Sequence, residues 1–151
     1  MAREVNLRED VGQALMTFQF LEEAIRDYLN ITMKIIKKNV KDPNITFSLY
    51  DEKDTLGTLA RKFTKACDNP SLVTLLNELP EERNKLAHQI WLNYRKETES
   101  LLYGERDGDI GKKLEKCVSD KIEEVAKIEE KAHTCFVLLI IEIKRIKKLL
   151  K

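Results

Sequence analysis

At 151 residues and a net charge of +1, the chain is long enough to bury one core without staples. It carries no global field that would advertise nucleic acid or a membrane surface. With 42% apolar and 35% charged residues but only five glycines and three prolines, it excludes a many-stranded β fold and a disordered tail. It points instead to amphipathic helices with charged outer faces. The longest apolar run, Phe136 to Ile141, is too short to span a bilayer, so no membrane partner is expected.

Five helices are predicted in chain order. The first begins near Leu7, with Asn6 and Glu9 resembling a capping box. Val11, Leu15, Phe18, Leu21, Ile25, Tyr28, Leu29 and Ile35 recur in it at helical spacing. Lys34, Lys37 and Lys38 crowd its end, where positive charge suits the helix dipole, and Lys41-Asp42-Pro43-Asn44 stops it. Residues 44–53 read as a loop or one ragged extended stretch. A shorter helix starts at Asp54 or Thr55, with Leu56, Leu59, Phe63 and Cys67 on one face. Gly57 within it weakens the helix and suggests a close helix crossing.

Asp68-Asn69-Pro70-Ser71 reads as a turn and a new start, opening a third helix with Leu72, Leu75, Leu76 and Leu79. Pro80 fits the first turn of a fourth helix, with Glu81 and Glu82 at its dipole-favoured start, running to about Leu102. Tyr103 to Asp109 is the clearest loop. From about Ile110 a last long helix carries an inward stripe: Leu114, Val118, Ile122, Val125, Ile128, Ala132, Cys135, Leu139, Ile143, Ile146 and Leu150. The expected architecture is a single all-α domain over 1–151, an antiparallel bundle of about five helices framed by the two longest.

Three cysteines, Cys67, Cys117 and Cys135, lack metal-binding spacing. With no signal peptide at the start of the chain, they read as reduced, mostly buried thiols of a cytoplasmic protein. His133 has no companion ligands for a metal, and the run Gly108–Lys113 lacks the glycine spacing and the hydroxyl residue of a phosphate loop. No cofactor and no metal is expected.

The pointed signal is Arg83-Asn84-Lys85-Leu86-Ala87-His88. In a regular helix Arg83 and His88 fall roughly 140° apart, whereas Asn84 and His88 share a face. Arg83 must then curl around the helix start or meet His88 through a second chain. The ordinary alternative pairs Arg83 with Glu78 or Glu82 and packs His88 beside Trp91. Trp91 and Tyr94, one turn on, are candidates for stacking on a base, with core packing as their commoner role. The basic cluster Lys144, Arg145, Lys147, Lys148 and Lys151 reads as a dipole-compatible cap or as a phosphate-tracking patch.

This segment resembles the Arg-polar-x3-5-His signature of HEPN domains, and the order of long, short, motif-bearing and long helices is similar too. The resemblance covers most of the chain in layout and six residues in motif. It implies a dimerising helical bundle and a metal-independent endoribonuclease or RNA-binding protein, in some members part of a toxin–antitoxin or defence system. Arg83, Asn84 and His88 would be its catalytic group. Where a subgroup of such toxins has a tyrosine two residues after the histidine, this chain has Ile90, so modification by a nucleotidyltransferase partner is not expected. The implied partners are RNA or a nucleotide, a second copy of the chain, and a regulatory protein. An imidazole can move the protons of RNA cleavage, and a guanidinium fork can hold the phosphoryl charge. A non-catalytic module that binds a protein or a nucleotide stays open as the alternative.

Overall fold

The computed structural model describes residues 2–40, 48–104 and 108–151, with side chains from Glu4 onward. All regular structure among these residues is helical: α1 (Ala2–Asn39), α2 (Leu56–Ala66), α3 (Pro70–Asn84), α4 (Ile90–Tyr103) and α5 (Ile110–Lys147). One single turn, Lys148–Leu150, closes the chain's last helix. The expected all-α fold with two long helices holds; α1 and α5 each run for 38 residues. The chain divides into two compact units. One comprises Met1–Phe18 and Glu81–Lys131, the other Gln19–Pro80 and Ala132–Lys151.

In the first unit, Leu7, Ala14 and Phe18 of α1 are buried together with Leu86, Ile90, Val125 and Ile128. Each fully buried large side chain contributes about 1.5–3 kcal/mol relative to exposure. In the second unit the core is denser in large side chains: Leu21, Ile25, Leu59, Phe63, Leu72, Leu76, Leu79 and Leu139 are all fully buried. Tyr28 stacks at a tilt on Phe63, centroids 4.7 Å apart, and its hydroxyl donates to the Ala66 carbonyl at 3.5 Å. The inward stripe expected for α5 is buried from Val118 to Ile146, while Leu114, Ile122 and Leu150 are half-buried.

Helix starts follow local chemistry where a side chain caps them. Asn69 accepts from the Leu72 N–H at 3.3 Å with Pro70 as first helical residue. Asp109 accepts from the Lys112 N–H at 3.3 Å and opens α5. It follows Gly108, whose φ of 67° is left-handed and favours glycine. The run Gly108–Lys113 is thus a helix start with its own cap.

Three expectations are corrected. The first helix starts at Ala2, not near Leu7: Arg3, Glu4 and Val5 continue the helix, and Glu4 already supplies the favourable first-turn charge. Pro80 lies inside α3, not in the first turn of a new helix. Leu76 and Leu79 are fully buried beside it, so packing holds the helix together through a residue that costs about 3 kcal/mol in a helix interior. The second helix begins at Leu56, one residue after Thr55, which makes no side-chain cap bond. The stop at Lys41–Asn44, the first part of the 44–53 connection, and positions 105–107 lie outside the described residues. Of that connection, residues 48–53 form no helix or strand.

The close crossing expected at Gly57 is present, because a Cβ built there would lie 3.8 Å from the Pro80 Cβ. That is ordinary van der Waals distance, so the crossing tolerates a methyl group.

Candidate functional site

Between α3 and α4 the helix does not break; it widens. Lys85–Gln89 form one π-type turn in which the Ile90 N–H donates to the Lys85 carbonyl, five residues back. Gln89, at φ −104°, absorbs much of the distortion. The cause is visible in the side chains. Leu86 and Ile90 are buried, and Tyr94 and Thr98 half-buried, at steps of four, each of which over-rotates a regular helix by about 40°. One extra residue in a wide turn removes most of that drift.

The same turn changes the geometry of the motif. A π turn advances about 80° per residue, so Arg83 and His88 come to roughly 80° apart, against 140° in a regular helix. Arg83 lies in the last turn of α3 and is half-buried; Asn84 and His88 are exposed. Glu82, one of the partners considered for Arg83, engages Lys85 at 3.6 Å and Lys131 at 4.0 Å. The exposure of His88 sets it outside the core. Ile90, where a tyrosine would stand in the toxin subgroup, is 1% exposed and belongs to the core.

His88 opens onto a cleft of about 600 Å³ whose other functional side chains are Glu4, Arg8, Trp91, Tyr94 and Arg95. Arg83 and Asn84 do not line it. The α4 wall has a simple origin: His88, Trp91, Leu92 and Arg95 recur at three- and four-residue spacing and so share one helix face. Glu4 and Arg8 are four apart in the first turns of α1. The Arg8 guanidinium lies 5.6 Å from the Trp91 ring centroid, a cation–π contact. Tyr94 meets Trp91 edge-on, centroids 5.7 Å apart at 76°. Burial, then the nearby Glu4 charge, raises the Tyr94 pKa above its ordinary value. Arg95 is paired with Glu99 at 3.0 Å on the exposed side of α4.

Trp91 and Tyr94 were legible as candidates one turn beyond His88. Glu4, Arg8 and Arg95 were not, since no local pattern joins the start of α1 to a helix some eighty residues later.

The other clusters are already satisfied. Cys67, Asp68 and Glu142 bring three potential ligand atoms within 4.8 Å of one another, the one such grouping among the described residues. Arg145 fills it, donating to Glu142 at 2.6 Å and to Asp68 at 3.0 Å. Arg145 thus leaves the basic C-terminal cluster as an ion-paired residue. Cys117 donates to Glu97 at 3.1 Å, with Lys121 on the same carboxylate at 3.2 Å. Burial and then this carboxylate push the Cys117 thiol up to about 11, and burial alone pushes Cys135 to about 12. These are protonated, unreactive thiols near neutrality. His133 is exposed on α5 and joins no ligand group among the described residues. Glu23 is engaged by Arg26 at 2.8 Å.

No family model, curated protein or solved structure matches the chain. No helix among the described residues is long and apolar enough to cross a membrane.

Proposed function

We propose that the chain is a metal-independent endoribonuclease of the HEPN-like kind, acting as a homodimer. The observation that carries this reading is the exposure of His88 at the mouth of a cleft lined by cationic and aromatic side chains. Leu86 and Ile90, two residues to either side, occupy the core face, so the helix turns His88 to the opposite, solvent side.

The reaction needs no redox partner. The RNA 2′-hydroxyl gives its proton to a base, its oxygen attacks phosphorus, and a 2′,3′-cyclic phosphodiester forms as the bond to the 5′-oxygen breaks. That oxygen leaves with a proton from an acid. His88 performs one transfer, and His88 of a second copy performs the other. Arg83 holds the charge that builds on the phosphoryl oxygens, and Asn84 orients His88 or donates to phosphate. A regulatory protein partner and a toxin–antitoxin or defence role belong to the same proposal.

The test is cleavage of a mixed RNA pool in EDTA. His88→Ala should lose about 10²–10⁴-fold in rate, the range for a positioned acid–base group, with its circular dichroism unchanged. Undiminished cutting by that variant would end the proposal.

A second reading, a non-catalytic interaction module, draws on a different surface. Val137, Leu138 and Ile141 of α5 stand 43%, 42% and 58% exposed within little more than one turn, an apolar strip of the kind partners cover. On this reading Val137→Glu abolishes partner binding and His88→Ala does not.

A further inference from the structure

The ribonuclease reading uses His88 and leaves the rest of the cleft unexplained. Its central feature is a cation held over an aromatic ring at the surface. Arg8 is exposed and makes no ion pair with a carboxylate among the described residues. Its guanidinium faces the Trp91 indole instead. Trp91 is half-buried, its ring fixed by the edge of Tyr94. A fixed, partly exposed indole covered by a mobile guanidinium is a stacking platform with a movable cover.

The spacing decides what fits. A flat ring stacks at about 3.5 Å from each neighbour, so a base between indole and guanidinium needs about 7 Å. The guanidinium carbon at present lies 5.6 Å from the ring centroid. Arg8 must move away from the ring to admit a base, which a long exposed side chain does at small cost. The cleft volume of about 600 Å³ falls inside the range of roughly 300–1,000 Å³ typical of small-ligand sites. A paired base cannot enter such a slot, because its faces are covered by its neighbours in the stack.

Glu4 narrows the choice further. It lines the same cleft as Trp91 and Tyr94, so its carboxylate sits beside the aromatic platform. A carboxylate only accepts hydrogen bonds; adenine, cytosine and guanine each offer it the two N–H groups of an exocyclic amine, whereas uracil offers only its single N3–H. Arg95, four residues on from Trp91 and 78% exposed, can exchange Glu99 for a phosphate.

We infer that this cleft seats one unpaired nucleotide of single-stranded RNA, its base stacked on Trp91 beneath Arg8 and its exocyclic amine held by Glu4. The inference rests on RNA being the ligand of the cleft, and it assigns a base preference that the ribonuclease reading by itself does not.

Trp91 is the chain's one tryptophan, so its emission reports on this site directly. The full chain is titrated in EDTA with 2′-O-methyl hexanucleotides of A, C and U, which lack the attacking hydroxyl, while anisotropy of a labelled oligonucleotide reads total binding. The A and C hexamers should change Trp91 emission saturably and bind about fivefold or more tighter than U, the lower end of the discrimination from base-edge contacts. Arg8→Ala should weaken binding about tenfold, within the range for loss of one stacking partner. Glu4→Gln should level A and U. Both positions are at the surface, so circular dichroism should match the wild type.

Binding by anisotropy with unmoved Trp91 emission, or an Arg8→Ala affinity equal to wild type, would overturn the inference, as would the absence of any binding. The two proposals fail separately. His88-dependent cleavage without a Trp91 response leaves the nuclease and removes the nucleotide seat. A Trp91 response without cleavage does the reverse.

Discussion

Arg145 and Arg8 are the same residue type on two long helices, and their surroundings could hardly differ more. Arg145 lies in the unit formed by Gln19–Pro80 and Ala132–Lys151, where it is clamped by Glu142, itself only 6% exposed, and by Asp68. Arg8 lies in the other unit and faces an aromatic ring across an open cleft. The first arginine is consumed by the fold, because a buried carboxylate without a partner is expensive. The second is held by a contact worth about 0.5–1 kcal/mol at an exposed site, weak enough for a ligand to displace. The presence of a cation says little about function; what it already holds says more.

The largest expected effect separates these two residues. Arg145→Ala leaves Glu142 buried without its partner. The arginine is 51% exposed, so solvent softens the loss, but the urea midpoint should still fall. Arg8→Ala should change stability by less than about 1 kcal/mol. Urea titrations of both variants measure the difference, and equal losses would break the comparison.

A smaller effect of opposite sign is expected at the α2–α3 crossing. Gly57→Ala should stabilise by about 0.5–1 kcal/mol, since helix propensity improves and the new methyl group meets Pro80 at ordinary contact distance. A lower midpoint would mean that the crossing is tighter than 3.8 Å.

The smallest effect sharpens the picture of the clamped unit through pH. The Lys62 ammonium, then the Asp51 N–H, hold Asp54 below its ordinary value of 3.8. A depressed carboxylate stabilises the fold fully above that value and loses its contribution as pH falls through the lowered pKa. Asp54→Asn should therefore unfold earlier than wild type at pH 7, and the two should converge as pH falls through the lowered pKa. Parallel curves at every pH would show that the carboxylate's charge contributes nothing.

The stripes of α1, α2 and α5 were readable because apolar residues at helical spacing carry their own address. Leu56, Leu59 and Phe63, or Val125, Ile128, Ala132 and Cys135, are buried as their spacing demands. The start of α1 was misread because Asn6 and Glu9 satisfy a capping pattern that also occurs, without consequence, inside helices. Pro80 was misread because packing of Leu76 and Leu79 outweighs the local cost of the ring. The six-residue motif was visible, but its geometry was not. The angle between Arg83 and His88 depends on a wide turn that reconciles four-residue steps with a single buried face.

The order of residues alone determined that the protein is helical, where the two long helices lie, and that His88 and Arg83 deserve scrutiny. These are consequences of local periodicity and local chemistry, which act over a few residues. Only the tertiary structure decided which charges are spent and which are left over. Glu142 takes Arg145, Glu97 takes Cys117 and Lys121, and Arg8 meets Trp91. The longest of these pairings joins positions more than eighty residues apart, and the free energy of a charge is set by whatever folding brings beside it.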